Sequence, residues 1–314
     1  MAALILAKAK LDPTVIVGTK IKQFQNSNYK YGKKKYLIIE ACEYKDSFLN
    51  YSPDIIAITN IEKDHLDYFK NLKNILKSFK KFINLLPKEG ALIINKEDKN
   101  TKKILGNKNA ISFSINQPEA KKIKKILKIP GEHNIYNALA ALAIARLLKI
   151  PDIISFKALS EYKASWRRFD ERKEIINGKK RIIISDYGHH PTEVNATLQA
   201  AKEKYPNKKI WCIFQPHQYQ RTHYLFDDFV KIFQNNKLDK ILITDIYDVV
   251  GREEKNIRKK INSGKLIEKI KKSWVEYLPQ KKILKYIKKN SKNFDILLIM
   301  GAGDIYEIDK QFSK

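Results

Sequence analysis

The run R-I-I-I-S-D-Y-G-H-H-P-T-E, Arg181 to Glu193, decides the fold. Its apolar opening, Arg181–Ser185, reads as a strand. An acid, an aromatic, a glycine and two imidazoles follow at once. Pro191 then stands where it can open a helix, because its fixed φ suits the first helical turn and its missing N–H is not needed there. Strand, short polar loop and helix in that order form the unit of parallel α/β architecture. Paired histidines on such a loop are seldom core residues, so the same stretch also points to a site.

The alternation continues on both sides. Downstream, strands are expected at Lys209–Phe214, Lys240–Thr244 and Asp295–Met300. Helices are expected at Pro191–Lys204, Leu225–Gln234, Gly264–Lys272 and Gln280–Lys289. Upstream, strands are expected at Tyr36–Ala41, Ile55–Thr59, Ala91–Asn95 and Ala110–Phe113, with helices at Leu72–Leu86 and Asn134–Leu148. A chain of 314 residues suggests two domains. The boundary is expected between the Asn134 helix and the Arg181 strand, with S-W-R-R-F-D (Ser165–Asp170) as a hinge.

Composition narrows the class. The hydrophobic fraction of 43% is ordinary for a globular protein. The longest apolar run, Ala138–Leu148, is broken by Arg146 and is too short to span a bilayer, and the start of the chain has no signal-peptide pattern. The two cysteines, Cys42 and Cys212, form no C-x-x-C pair, which points to a reducing cytoplasm and away from disulfides and zinc. The net charge of +28 is spread over lysine-rich runs such as Lys121–Lys128 and Lys281–Lys289 at helical spacing. Such runs read as solvated helix faces rather than a nucleic-acid module; attraction of anionic, phosphate-bearing substrates is the milder consequence.

All 6 histidines fall in short polar clusters beside Asp, Glu, Asn, Arg, Gly or Pro. Glu40, Glu43 and His65 lie at the ends of two strands. Carboxylates there suit Mg²⁺ near phosphates, although an ordinary polar loop would look the same. In G-E-H-N-I-Y-N-A-L-A-A, Gly131 supplies a turn and His133 or Asn134 can cap a helix. Asn134 and Asn137, three apart, share a helical face on which their amides can meet a purine edge. Arg167 and Arg168 are adjacent arginines in a lysine-rich chain, and Arg alone gives bidentate phosphate contacts; a surface pair without a role is the bland alternative. The loops D-Y-G-H-H-P-T-E and Q-P-H-Q-Y-Q-R-T together offer Tyr187, His189, His217 and Arg221 to a small carboxylate and an amine. The G-A-G-D loop at Gly301–Asp304 is assigned mostly to packing. No G-x-x-x-x-G-K-S/T phosphate loop occurs in the sequence.

These motifs in order, with E-A-C-E-Y, T-N-I-E-K-D-H-L-D-Y, R-R-F-D and M-G-A-G-D-I-Y, resemble the Mur ligases over residues 4 to 312. The resemblance implies an α/β fold: a central parallel or mixed-sheet ATPase domain at 1–169, truncated at its start and lacking the P-loop, then a Rossmann-like domain at 170–314. The family's uridine-nucleotide domain has no counterpart in the sequence, and the opening A-A-L-I-L-A-K-A-K is similar to the helix that follows the family's P-loop. The loops around His189 and His217 look like those of the branch that adds L-alanine to UDP-N-acetylmuramate. ATP would phosphorylate the muramoyl carboxylate, and the alanine amine would attack the acyl phosphate.

By the same resemblance, Glu40, with Glu43 as its neighbour, would hold one Mg²⁺ and His65 would ligate a second. His133, Asn134 and Asn137 would meet the adenine of ATP, Arg168 its phosphates and Asp186 its ribose. Tyr187, His189, His217 and Arg221 would surround alanine and the reacting carboxyl, with His189, Arg168 and His217 as the catalytic set. Gln218 stands where the family usually has arginine, leaving Arg221 as the main cation for the alanine carboxylate. The implied protein is cytoplasmic, a monomer or weak homodimer, with no nucleic-acid or membrane partner, and as this polypeptide alone it is expected to be inactive. A ligase that recycles murein tripeptide and a non-catalytic binding protein on the same fold are the competing readings.

Overall fold

The computed structural model describes residues 1–251 and 253–312; Arg252 and the last two residues of the expected second domain lie outside them. The chain divides into two compact units, Met1–Trp166 and Arg167–Lys314. The division falls inside S-W-R-R-F-D, just ahead of Asp170. Both arginines therefore belong to the second unit, where Arg167 makes its hydrogen bonds.

In the first unit a helix at Ala2–Lys8 leads into strands β1 (Thr14–Ile21), β2 (Ser27–Lys30) and β3 (Leu37–Ile39). Strands β4 (Ile55–Ile58), β5 (Ala91–Asn95) and β6 (Ile111–Phe113) follow. The order in one sheet is β2-β1-β3, with β1 antiparallel to β2 and parallel to β3. The other sheet, β4-β5-β6, is wholly parallel. The hairpin β1–β2 was not expected, since its Lys, Thr, Asn and Gly positions hide the apolar signal.

Alternate residues of β5 serve opposite sides, as the two-residue period of a strand requires. Ile93 packs with Ile5, Leu6, Ala138, Leu142 and Leu159. Leu92 and Ile94 pack with Phe48, Ile56, Phe82 and Ile83. The helix expected at Asn134–Leu148 runs Glu132–Leu147, and the one expected at Leu72–Leu86 ends at Ile83. Ala138, Ala141 and Ala145 are buried on the former helix, where side chains this small let its backbone come close to β5 and β6.

The second unit holds β7 (Asp170–Ile176), β8 (Lys179–Asp186), β9 (Ile210–Phe214), β10 (Lys240–Ile243), β11 (Val275–Tyr277) and β12 (Ile296–Met300). Their order is β11-β10-β9-β12-β8-β7, parallel except for the β7–β8 pair. Ile213 and Leu297 pack toward the helices Gln280–Lys289 and Ile305–Lys310. Phe214 instead meets Phe229 and Phe233 of the helix Phe226–Asn235. Helices on both faces make the inner strands wholly apolar, which is why I-W-C-I-F and I-L-L-I-M were legible as buried parallel strands. No helix among the described residues is long and apolar enough to cross a membrane.

Candidate active site

Each unit carries its own group of polar side chains at the carboxyl ends of parallel strands, where open α/β sheets place ligands.

In the first unit Glu40 follows β3, and its carboxylate receives the backbone N–H of Gly18 at 2.8 Å. His65 lies in the loop after β4 with φ of 49°, an unusual conformation for a residue with a Cβ. Asp64 accepts its backbone N–H at 2.7 Å. The ring stands 4.7 Å from that of Tyr44, centroid to centroid. Its Nε2 is 3.7 Å from Glu43 and 3.8 Å from Asp64. The structure thus brings Glu43 and His65 together, adds Asp64 to them, and ties Glu40 to β1.

Among the described residues no three His, Cys, Asp or Glu side chains form a ready-made metal cage. Mg²⁺ does not need one: it is commonly held by one or two carboxylates, waters and substrate phosphates. The exposed Glu40 and half-buried Glu43 fit that pattern, and His65 is the softer member of the set.

Gly131 caps the helix Glu132–Leu147 with φ of 97°, so neither His133 nor Asn134 is its cap. Both sit in the first turn instead, and the Asn134 amide nitrogen donates back to the Pro130 carbonyl at 2.7 Å. His133 and Asn137 are exposed. The turn before this helix is fixed by the glycine and the asparagine, which leaves His133 and Asn137 presented to solvent near its start.

In the second unit the two arginines do opposite things. Arg167 is 2% exposed. Its guanidinium donates to Ser185 Oγ at 3.2 Å, the Asp186 carbonyl at 3.2 Å and the Gly301 carbonyl at 2.6 Å. Burial pulls its pKa down, and Asp309 and Asp186 oppose that. Arg168 is exposed and reaches Glu193 at 3.0 Å.

Asp186, at 4% exposure, accepts from the backbone of Phe169 and Gly188, each at 2.8 Å, and from Thr197 Oγ1 at 3.2 Å. Burial pushes its carboxyl up, against the nearby Arg168 and those two amides. The residue expected at a ribose is thus engaged in holding the loop that follows β8.

That loop is organised by a residue that sequence reasoning passed over. Glu193 accepts the backbone N–H groups of His189 at 3.1 Å and His190 at 3.2 Å. It completes a capping box on the helix Pro191–Lys204. Burial works against charge on Glu193, but His189 and Arg168 beside it prevail and hold its carboxyl at about 2. The signal was present: an acid three residues after the helix-capping position is a recognised start of a helix.

His189 and His217 meet edge to face, with centroids 5.7 Å apart. Tyr187 also meets His189 edge to face, with centroids 5.4 Å apart. His217 stacks on Tyr247 at 5.4 Å and 14°. Backbone bonds of 2.8 Å from Gln218 to Tyr247 and from Tyr247 to Pro216 lock that pair. Tyr247 was missed, although it follows strand β10 and the strand-end rule reaches it. Arg221, 7% exposed, points Nη1 at His217 Nδ1 across 3.0 Å. Gln218 is buried with φ of 68°. The G-A-G-D loop is packing, as expected: a Cβ on Gly303 would stand 2.5 Å from Gln215 Oε1 and run into the Tyr247 ring. Tyr187, His189, His217 and Arg221 are thus brought together in one unit.

The Mur ligase middle domain family matches residues 21–145, and the Mur ligase glutamate ligase domain family matches residues 167–303. A UDP-N-acetylmuramate–L-alanine ligase of Caldanaerobacter subterraneus is 39% identical over 340 residues, covering 99% of this chain and 72% of the relative. The ligase of the same name from Clostridium acetobutylicum is 41% identical, with the same coverage of both chains. The crystal structure of UDP-N-acetylmuramate-alanine ligase MurC from Thermotoga maritima superposes with a TM-score of 0.74 at 23% identity, covering 99% of this chain and 70% of that one. MurF ligase from the same organism, in complex with ADP, superposes with a TM-score of 0.71 at 15% identity over 99% of this chain and 75% of that one. These superpositions establish a common fold.

Proposed function

The chain belongs to the Mur ligase family of ATP-dependent, amide-bond-forming enzymes, and on that premise we propose that it carries the ATP and amino-acid sites of an enzyme joining L-alanine to UDP-N-acetylmuramate. The observation that carries this reading is the set His189, His217 and Arg221, assembled at the ends of β8 and β9 with two imidazoles and a guanidinium in contact. That set suits a small amino acid: a cation for its carboxylate and an imidazole for its amine proton.

In the reaction so proposed, a muramoyl carboxylate oxygen takes the γ-phosphoryl group of ATP, giving ADP and an acyl phosphate. The alanine nitrogen then bonds to the acyl carbon, the bond from that carbon to the phosphate oxygen breaks, and the amine proton passes to His189. Exposed Arg168 exchanges its Glu193 partner for phosphate oxygens. Amides at Asn134 and Asn137, with His133, read the adenine. Glu40, with Glu43 beside it, would hold one Mg²⁺ and His65 a second, and these ions would supply charge neutralisation on the phosphates. Asp186 acts by keeping the β8 loop in shape. The setting is cytoplasmic.

The sequence has no phosphate-cradling loop, and phosphoryl transfer depends on such positioning. The 314-residue polypeptide alone is therefore expected to be silent. Joined in frame to the P-loop-bearing segment of an L-alanine-adding relative, it should release phosphate only when ATP, L-alanine and UDP-N-acetylmuramate are all present. Phosphate release from the polypeptide alone, dependent on both substrates, would overturn this part of the reading.

A further inference from the structure

The paired imidazoles of His189 and His217 are each held at Nδ1, but by groups of opposite chemical sense. His189 Nδ1 faces two acceptors, the Tyr187 carbonyl at 3.2 Å and Glu193 Oε2 at 3.4 Å. Two acceptors require a proton between them and the ring, so Nδ1 carries it and the lone pair lies on Nε2. His217 Nδ1 faces Arg221 Nη1 at 3.0 Å. A guanidinium can only donate, so that Nδ1 carries the lone pair and the proton lies on Nε2. A ring's tautomer is set by the bond its other nitrogen makes.

We propose that Glu193 and Arg221 set the two rings in opposite tautomers, His189 accepting and His217 donating through Nε2, and that Glu193 is a positioning residue for this pair. The catalytic meaning rests on the proposed function: an amine N–H bond breaks, an N–H bond forms at His189 Nε2, and the positive ring then faces the Glu193 carboxylate through Nδ1. In that reaction His217 would donate its Nε2–H to an anionic oxygen. One carboxylate therefore does three things. It caps the helix Pro191–Lys204, fixes the backbone of His189 and His190, and faces the ring that receives the proton.

Charged and aromatic groups from several elements face these rings. His189 meets Glu193 from the helix, Tyr187 from its own loop and His217 from the loop after β9, with Arg168 reaching Glu193 from the opposite side. His217 meets Arg221, Tyr247 and His189. An anion thus backs His189 and a cation backs His217, which separates the two rings electrostatically as well as by hydrogen bonding.

The test is ¹⁵N NMR of the imidazole nitrogens in the whole 314-residue chain at about pH 8.5, two units above the ordinary imidazole value. His189→Gln and His217→Gln supply the assignments. The expected result is protonated Nδ1 on His189 and protonated Nε2 on His217. In Glu193→Gln, which keeps an amide oxygen for the two backbone N–H groups, the His189 titration should move to lower pH by about one unit while that of His217 holds. The same tautomer on both rings of the unaltered protein, or a His189 titration unmoved in Glu193→Gln, would overturn the proposal. The rings are read directly, so the assignment is decided whether or not His189 proves to be the acceptor in catalysis.

Discussion

The Arg167 guanidinium reaches the Gly301 carbonyl at 2.6 Å, pinning the start of the second unit to the end of its central strand β12. Nothing but a planar fork of donors can serve Ser185 Oγ and two carbonyls from one side chain at once. Arg167→Ala should therefore leave buried acceptors without partners and cost about 2–4 kcal/mol in urea unfolding of the second unit. A fragment beginning at Ser165 should be more stable than one beginning at Asp170 by a similar amount. Equal midpoints for the two fragments would contradict this.

Glu193 gives the second unit an acid-sensitive element. Its carboxyl is held at about 2, below its ordinary value of 4.5. A carboxyl depressed on folding contributes stability that is complete above its unfolded value and is lost as pH falls through its folded one. The window thus runs from about pH 4.5 down to about pH 2. Discounted for the partial exposure of the side chain, the contribution is roughly 1–2 kcal/mol. Glu193→Gln should flatten the pH dependence of unfolding in that window and remove the same roughly 1–2 kcal/mol at neutral pH, where the contribution of the carboxylate is complete. An unchanged acid limb would argue that the carboxylate is not held as described.

The packing of Gly303 against Tyr247 predicts a coupled defect. In Gly303→Ala the new methyl meets the Tyr247 ring and Gln215 Oε1. Overpacking of this kind costs about 1–3 kcal/mol. Because Tyr247 stacks on His217, the change should also disturb the His217 ring resonances while leaving the first unit untouched. Gly178→Ala, where a Cβ would meet nothing within 4 Å but φ is 71°, should act through backbone strain alone and leave His217 unaffected.

How much of this was legible in the chain follows from what each residue faces. The inner strands β9 and β12 were readable because both of their sides are buried, so every position is apolar. Strand β7 was invisible because D-E-R-K-E-I-I lies on a sheet edge, where charged residues protect it from unwanted pairing. The clusters around His189 and His217 stood out because imidazoles, Gly and Pro are informative in loops. The division of labour between Arg167 and Arg168 did not, since two identical neighbours differ only in which way the backbone turns them, and Arg167 has φ of 53°. Glu193 was quoted in its motif but given no role, because a capping acid and a site acid look alike in one dimension.

Arg221 should be costly to lose on two counts. It is the nearby cation for an amino-acid carboxylate in the proposed site, and it also holds His217. In the P-loop-restored enzyme Arg221→Ala should raise the L-alanine KM by roughly 30- to 150-fold, from about 2–3 kcal/mol of charge-assisted bonding, with the ATP KM nearly unchanged. The second role predicts a fall in kcat as well, since His217 loses the partner that fixes its tautomer. Gln218→Arg should lower the L-alanine KM. If neither variant alters that KM, the loop after β9 does not meet the amino acid.

The most direct test of the account compares amino donors. The P-loop-restored enzyme, given ATP and UDP-N-acetylmuramate, should be assayed for phosphate release with L-alanine and with the murein tripeptide in parallel. The account predicts saturable release with L-alanine, formation of an amide to the alanine nitrogen, and at most about 1% of that kcat/KM with the tripeptide, a difference of roughly 2.7 kcal/mol or more. A higher kcat/KM for the tripeptide than for L-alanine would contradict it.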